Sequence, residues 1–183
     1  MGSERFAVTL PPSNLSSLLA TLRRNGVRFV LVGGVAAVVE GAPVSTFDLD
    51  IVHARDPRNV ARLLEALGEL EARYRVRPEL RRKPTAELLT GEGHHLLMTR
   101  QGPLDVLGVI GKRRDFESLI GSARLRKLGA FFVWVLDLET QIAIKEELGF
   151  AKDRAMLPTL RETLSLHRAH ARRRKKNRRT DNS

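Results

Sequence analysis

The stretch FVLVGGVAAVVEGAPVSTFDLDIV, from Phe29 to Val52, constrains the fold more than any other part of the chain. It opens with a short β-branched run that reads as a buried strand and stops at Gly33 and Gly34. GVAAVVEG then reads as a short helix between glycines. FDLDIVHA alternates acid with apolar residue, which is the period of a strand. Residues two apart on a strand face one side, so Asp48 and Asp50 are expected to project together while Leu49 and Ile51 point into the core. Two carboxylates held this close repel, and one is driven toward protonation unless a cation compensates.

A hard divalent cation, Mg²⁺ or Mn²⁺, is the natural compensator. Mg²⁺ accepts a pair of carboxylates, keeps several waters and completes its shell with substrate phosphates. The glycine pair suits the other half of that task, because bare backbone N–H groups at a strand-to-helix turn meet a phosphate with no Cβ in the way. A lone Gly-Gly is ordinarily a turn and a lone Asp-x-Asp a surface strand; it is their succession within one segment that points to a metal and a phosphate.

The rest of the chain alternates helix and strand. SNLSSLLATLRRNG, preceded by Pro11 and Pro12, places Leu15, Leu18, Leu19 and Leu22 at helical spacing and ends at Gly26. DPRNVARLLEALGEL has Asp56 as N-cap, Pro57 at the first helical position and Val60, Leu63, Leu64 and Leu67 on one face. GHHLLMT and PLDVLGVI read as a hairpin turning at RQGP, and AFFVWVLD as a strongly apolar strand. DFESLIGSA reads as a short helix, while the basic, proline-bounded RPELRRKPTAELL has no clear element. From about Leu138 the chain reads helical, with breaks near Gly149 and Pro158. The expected class is α/β (α+β): a mixed twisted sheet flanked by helices, with the final helices on one side.

The 183 residues are 42% apolar, enough for one globular body, taken as residues 1–166 with a helical part from about 138. The net charge is +11, but His167 to Ser183 holds eight Lys/Arg against one Asp, a balance of +7 that leaves +4 on the body. Residues 167–183 are therefore expected to form a basic, disordered tail that raises affinity for RNA in a salt-dependent, sequence-blind way. Cysteine is absent, which excludes disulfides, thiolate metal sites and Cys catalysis. Neither a signal core nor a membrane-spanning stretch is visible, so a soluble cytoplasmic protein with no membrane partner is expected.

Val32-Gly33-Gly34, thirteen intervening residues, and then Asp48-Leu49-Asp50-Ile51 resemble the signature of the nucleotidyltransferase superfamily that includes DNA polymerase beta. That superfamily places a third carboxylate between hydrophobic residues on a later strand, and PLDVL offers Asp105. More narrowly, LETQIAIKEELGFAKDRAMLPTL resembles the C-terminal Lys and Lys-Asp pattern of small bacterial nucleotidyltransferases of toxin–antitoxin and abortive-infection systems. The resemblance implies a nucleotidyltransferase fold and an enzyme that moves a nucleoside monophosphate from an NTP to an acceptor, either RNA (a tRNA 3′ end being one form) or a protein hydroxyl. It implies Asp48, Asp50 and Asp105 as metal ligands, with Asp105 also helping to deprotonate the acceptor. Gly33 and Gly34, with Ser45 or Thr46, would hold the triphosphate, and Lys145, with Lys152 beside it, would neutralise phosphate charge. Asp153 would either orient Lys145 or stand as a surface helix residue. A cognate antitoxin protein is the implied partner. Relatives commonly carry an Arg before the Thr of this segment, where the chain has Val44. That departure keeps a second function open, a fold that binds RNA or a partner protein without turnover.

Other polar residues point less far. His94 and His95 are adjacent in a strand and face opposite sides, which disfavours a joint metal site. His167 and His170 share a helix face without a third ligand. Trp134 reads as core rather than as part of an RNA-stacking platform. No helix-turn-helix signal supports a DNA-binding protein.

Overall fold

The computed structural model describes residues 14–180. The expectations for the prolines and the first dozen residues lie outside that range. Leu15, Leu18, Leu19 and Leu22 line one face of α1 (Asn14–Arg24) and are all buried. A helix with such a stripe must cover an apolar surface, and α1 covers one face of a sheet. The chain continues through β1 (Phe29–Val32), α2 (Gly33–Val39), β2 (Leu49–His53) and α3 (Pro57–Glu69). Asp56 caps α3 as its sequence predicts, its carboxylate accepting from the Asn59 N–H at 3.0 Å. Next come β3 (Arg73–Tyr74), α4 (Ala86–Thr90), the hairpin β4 (His94–Thr99) and β5 (Gly102–Leu107), α5 (Phe116–Leu119), the hairpin β6 (Ala123–Leu128) and β7 (Phe131–Leu136), and the helices α6 (Leu138–Leu148) and α7 (Ala151–Thr180).

The seven strands form one mixed sheet in the order β3-β4-β5-β2-β1-β7-β6. β1 pairs parallel with β7, and β2 pairs parallel with β5; the other neighbours are antiparallel. Strand alternation divides the core. Leu31, Leu49, Ile51, Leu104, Val106, Val133 and Val135 meet α1 and α3 on one face. Val30, Val32, Val52 and Leu136 meet Phe116 and Leu119 of α5 and Ile144 of α6 on the other. A third cluster joins Ala37 of α2 to Leu138 and Ile142 of α6 and to Leu157 and Leu160 of α7.

Several expectations need correction. Neither β3 nor β6 stands out in the sequence: β3 is two residues long, and ARLRKL spends three of its six residues on cations, as edge strands do. Trp134, expected in the core, is 40% exposed, and Phe132 on the same face of β7 is exposed as well. The core side of that strand belongs to Val133 and Val135. The break at Gly149 occurs, with the glycine left-handed at φ +61°. The break at Pro158 does not. Proline removes one ladder hydrogen bond, but Leu157 and Leu160 on either side of it are buried against α2 and α6, and that packing carries the helix through. The run from His167, expected to be disordered, continues α7 to Thr180, with Arg168 held by Glu139 at 2.6 Å.

Candidate active site

Register builds the site. Asp50 on β2 lies beside Val32 of β1 on one side and directly opposite Asp105 of the parallel strand β5 on the other. Asp48, one residue before β2, joins them, and the three carboxylates offer oxygens that all lie within 4.8 Å of one another. Among the described residues no other cluster of His, Asp or Glu could hold a metal ion in this way.

The two glycines make that approach possible. Gly33 follows directly on Val32, so the Asp50 side chain stands over it, and a Cβ there would meet Asp50 Oδ2 at 2.1 Å. Its φ of +67° is a second demand for glycine. A Cβ at Gly34 would meet the Thr46 side chain at 2.6 Å. Both glycines thus admit protein side chains, a role the sequence does not advertise. Thr46 uses its position: its hydroxyl donates to Asp48 Oδ1 at 3.1 Å. Ser45 is exposed beside it.

α6 and α7 deliver the cations. Lys145 Nζ donates to Asp153 Oδ1 at 2.8 Å, and these side chains are only 13% and 6% exposed. Asp153 is therefore no surface residue; it holds Lys145 in place. Glu146 and Glu147, the neighbours that could have paired with Lys145, are instead taken by Arg161 and Arg114. Lys152 is exposed. Burial, and then the charges of Asp48 and Asp105, push the Asp50 carboxyl up to about 7, against a downward pull from Lys152 and Lys145.

One residue of the site had no signal in the sequence. Arg75, just after β3, donates from Nη2 to Asp105 Oδ2 at 2.9 Å. It lies just before the segment that showed no clear element in the sequence, in a run of six cations from Arg73 to Lys83, and only the β3–β4 pairing brings it near β5. Burial raises the Asp105 pKa, with Arg75 opposing and Asp48 adding to the rise. The other oxygen, Asp105 Oδ1, is buried and has no hydrogen-bond partner among the described residues. A buried carboxylate oxygen without a donor is rare. With Asp48 and Asp50 alongside, it fits an oxygen-ligated hard cation such as Mg²⁺ or Mn²⁺.

The remaining candidates lie apart from the triad. His94 is exposed, its Nε2 2.8 Å from the Val109 carbonyl, whereas His95 is buried with Nδ1 2.7 Å from the Tyr74 hydroxyl, so the two face opposite sides as expected. His167 and His170 are exposed on α7. Val44 packs against the cluster formed by α2, α6 and α7.

The chain matches no protein-family model and no curated protein. Solved structures do match it. TM1012 of Thermotoga maritima, a protein assigned as a nucleotidyltransferase, aligns over 82% of this chain and 90% of its own with 20% identity and a TM-score of 0.50. The antibiotic-resistance factor ANT(2″)-Ia aligns over 91% of this chain and 93% of its own with 14% identity and a TM-score of 0.55. The chain has a nucleotidyltransferase fold.

Proposed function

We propose that this protein is a divalent-metal-dependent nucleotidyltransferase that moves a nucleoside monophosphate from an NTP to a hydroxyl of an RNA acceptor. The observation that carries this reading is the acid triad: three carboxylates from β2, its approach and β5 converge, and the buried Asp105 Oδ1 has no donor among the described residues. Asp48, Asp50 and Asp105 would hold Mg²⁺ or Mn²⁺, which supplies charge neutralisation at the phosphates and at the attacking and leaving oxygens.

The chain's own residues account for the rest of the reaction. Thr46 fixes the Asp48 carboxylate, and Arg75 fixes Asp105 through Oδ2, which leaves Oδ1 available as a ligand. The acceptor hydroxyl attacks the α-phosphorus, a new O–P bond forms, the bond between the α-phosphorus and its bridging oxygen breaks, and pyrophosphate leaves. Asp105 would take the hydroxyl proton. Lys145, held by Asp153, and Lys152, whose charges act on the triad, would meet the negative charge of the triphosphate. The Gly33–Gly34 backbone, set against Asp50 and Thr46, and the exposed Ser45 would hold the triphosphate.

The similarity of LETQIAIKEELGFAKDRAMLPTL to toxin–antitoxin nucleotidyltransferases supports a cellular setting in which a cognate antitoxin protein restrains this activity. The rival reading, a fold that binds RNA without turnover, draws on Val44, which brings no cation to the site. One assay separates the two. The protein is incubated with Mg²⁺, each labelled NTP, and total tRNA or lysate, beside Asp48→Asn and Asp50→Asn variants. Label transferred by the wild type and lost in both variants is the expected result. Equal label in all three, or none with any NTP, would sink the enzyme.

A further inference from the structure

The segment from Arg73 to Pro84 carries six cations, Arg73, Arg75, Arg77, Arg81, Arg82 and Lys83, against one acid, Glu79. It is a closed loop. The Tyr74 N–H donates to the Arg82 carbonyl at 2.9 Å, the Arg73 guanidinium to the Arg81 carbonyl at 3.0 Å, and the Arg75 N–H to the Leu96 carbonyl of β4 at 3.0 Å. A 3-10 turn at Pro78–Leu80 crowns the loop, flanked by Arg77 and Arg81 with φ of 54° and 47°. Side-chain-bearing residues enter this left-handed region only at a cost.

Some surface arginines sit on acids, Arg24 on Glu69, Arg113 on Glu92, Arg161 on Glu146 and Arg168 on Glu139, while Arg23, Arg58, Arg100 and Arg124 are exposed without an ion pair among the described residues; the loop differs in crowding such cations into one short segment. Arg77, Arg81, Arg82 and Lys83 are exposed and, among the described residues, make no ion pair. Crowded like charges on a strained, pinned loop repel one another and destabilise the folded chain. The loop therefore answers to something outside the chain. Its position indicates what, because Arg75 joins it to Asp105, the acid assigned to the acceptor hydroxyl. Val76 and Leu80 are exposed between the cations, giving bases an apolar surface to lie against.

We propose that the Arg73–Pro84 loop is the docking surface for the phosphates of a single-stranded polynucleotide whose terminal hydroxyl enters at Asp105. A polynucleotide end offers a hydroxyl followed by phosphates, which suits an acid tied through Arg75 to a loop crowded with cations. Because its ends are already pinned, the loop loses little freedom on binding. The placement of the hydroxyl rests on the nucleotidyl-transfer reading; the binding itself stands on charge and geometry alone.

The test compares the full chain with an Arg77→Asn, Arg81→Asn, Arg82→Gln, Lys83→Gln variant, Asn being chosen because it tolerates the left-handed backbone. Fluorescence anisotropy with single-stranded RNA and DNA of equal length and sequence is read across a salt series, with no nucleotide present. The slope of log K against log salt should fall by about 2 to 3, since each phosphate contact on a single strand contributes about 0.7. Loss with RNA alone, or with RNA and DNA alike, supports the loop and names its ligand. An unchanged slope with both overturns it, as does a polyglutamate of matched charge that displaces RNA as well as unlabelled RNA does. Should the variant fail to fold by thermal unfolding, Arg82→Gln with Lys83→Gln leaves the left-handed positions intact and should lower the slope by about 1 to 1.5. Intact loop-dependent binding with no label transfer by the wild type would remove the enzymatic reading and leave the docking surface standing.

Discussion

Gly33 accepts no side chain for two separate reasons, a left-handed backbone and the Asp50 carboxylate standing where a Cβ would go. Gly33→Ala should therefore cost about 2–4 kcal/mol in urea unfolding. Gly68→Ala in α3 is the matched control: nothing among the described residues lies within 4 Å of its added Cβ, and the change should be neutral or stabilising by up to about 1 kcal/mol. Equal effects at the two positions would refute the steric account. Asp50 makes a second prediction. Its carboxyl titrates near 7 in the folded chain, against an ordinary 3.8, so between those values the folded state binds more protons than the unfolded state. Its contribution to stability is therefore lost as pH rises from about 4 to about 7. A divalent cation competes with that proton, so Mg²⁺ should raise the Tm more at about pH 8 than at about pH 6. In Asp50→Asn the difference should disappear. An Mg²⁺ shift that ignores pH in the wild type would contradict this.

At the scale of elements, the site depends on how α6 and α7 meet. Lys145 and Asp153 face each other across the turn at Gly149, and both are largely buried. Removing one partner strands the other charge, so Lys145→Met should destabilise by about 3–5 kcal/mol, while a Lys145→Met, Asp153→Leu double variant should recover much of that loss. A double-mutant cycle measures the coupling, and a value below about 0.5 kcal/mol would mean that the pair does not act as a unit. The β3–α4 loop behaves differently. It gains its place from main-chain hydrogen bonds at Tyr74 and Arg75 rather than from burial, which is why its sequence, basic and punctuated by proline, suggests no element at all.

Across the whole molecule, the charge of +11 is spread over at least two surfaces, the Arg73–Pro84 loop and the basic end of α7. Replacing Arg172, Arg173, Arg174, Lys175 and Lys176 with Gln should flatten the salt dependence of RNA binding by up to about 3.5. An unchanged slope would show that the end of α7 makes no contact with the polyanion. Among the described residues no helix is long and apolar enough to cross a membrane. Gly33, Gly34, Asp48 and Asp50 are legible without coordinates because they are local: strand period two places the acids of one segment on one side, and glycines mark the turn. Asp105, far along the chain, is singled out by the family resemblance alone. The cap at Asp56 and the leucine face of α1 are legible because they too are local. Arg75, the exposure of Trp134, the burial of Asp153 and the unbroken course of α7 past Pro158 are not. Each depends on which strand lies next to which, or on what packs across from a helix, and these are contacts between residues far apart in the chain. Sequence by itself determined the acid pair and its glycine turn; only the tertiary structure decided which cations stand against those acids, because charge partners are chosen by proximity in space.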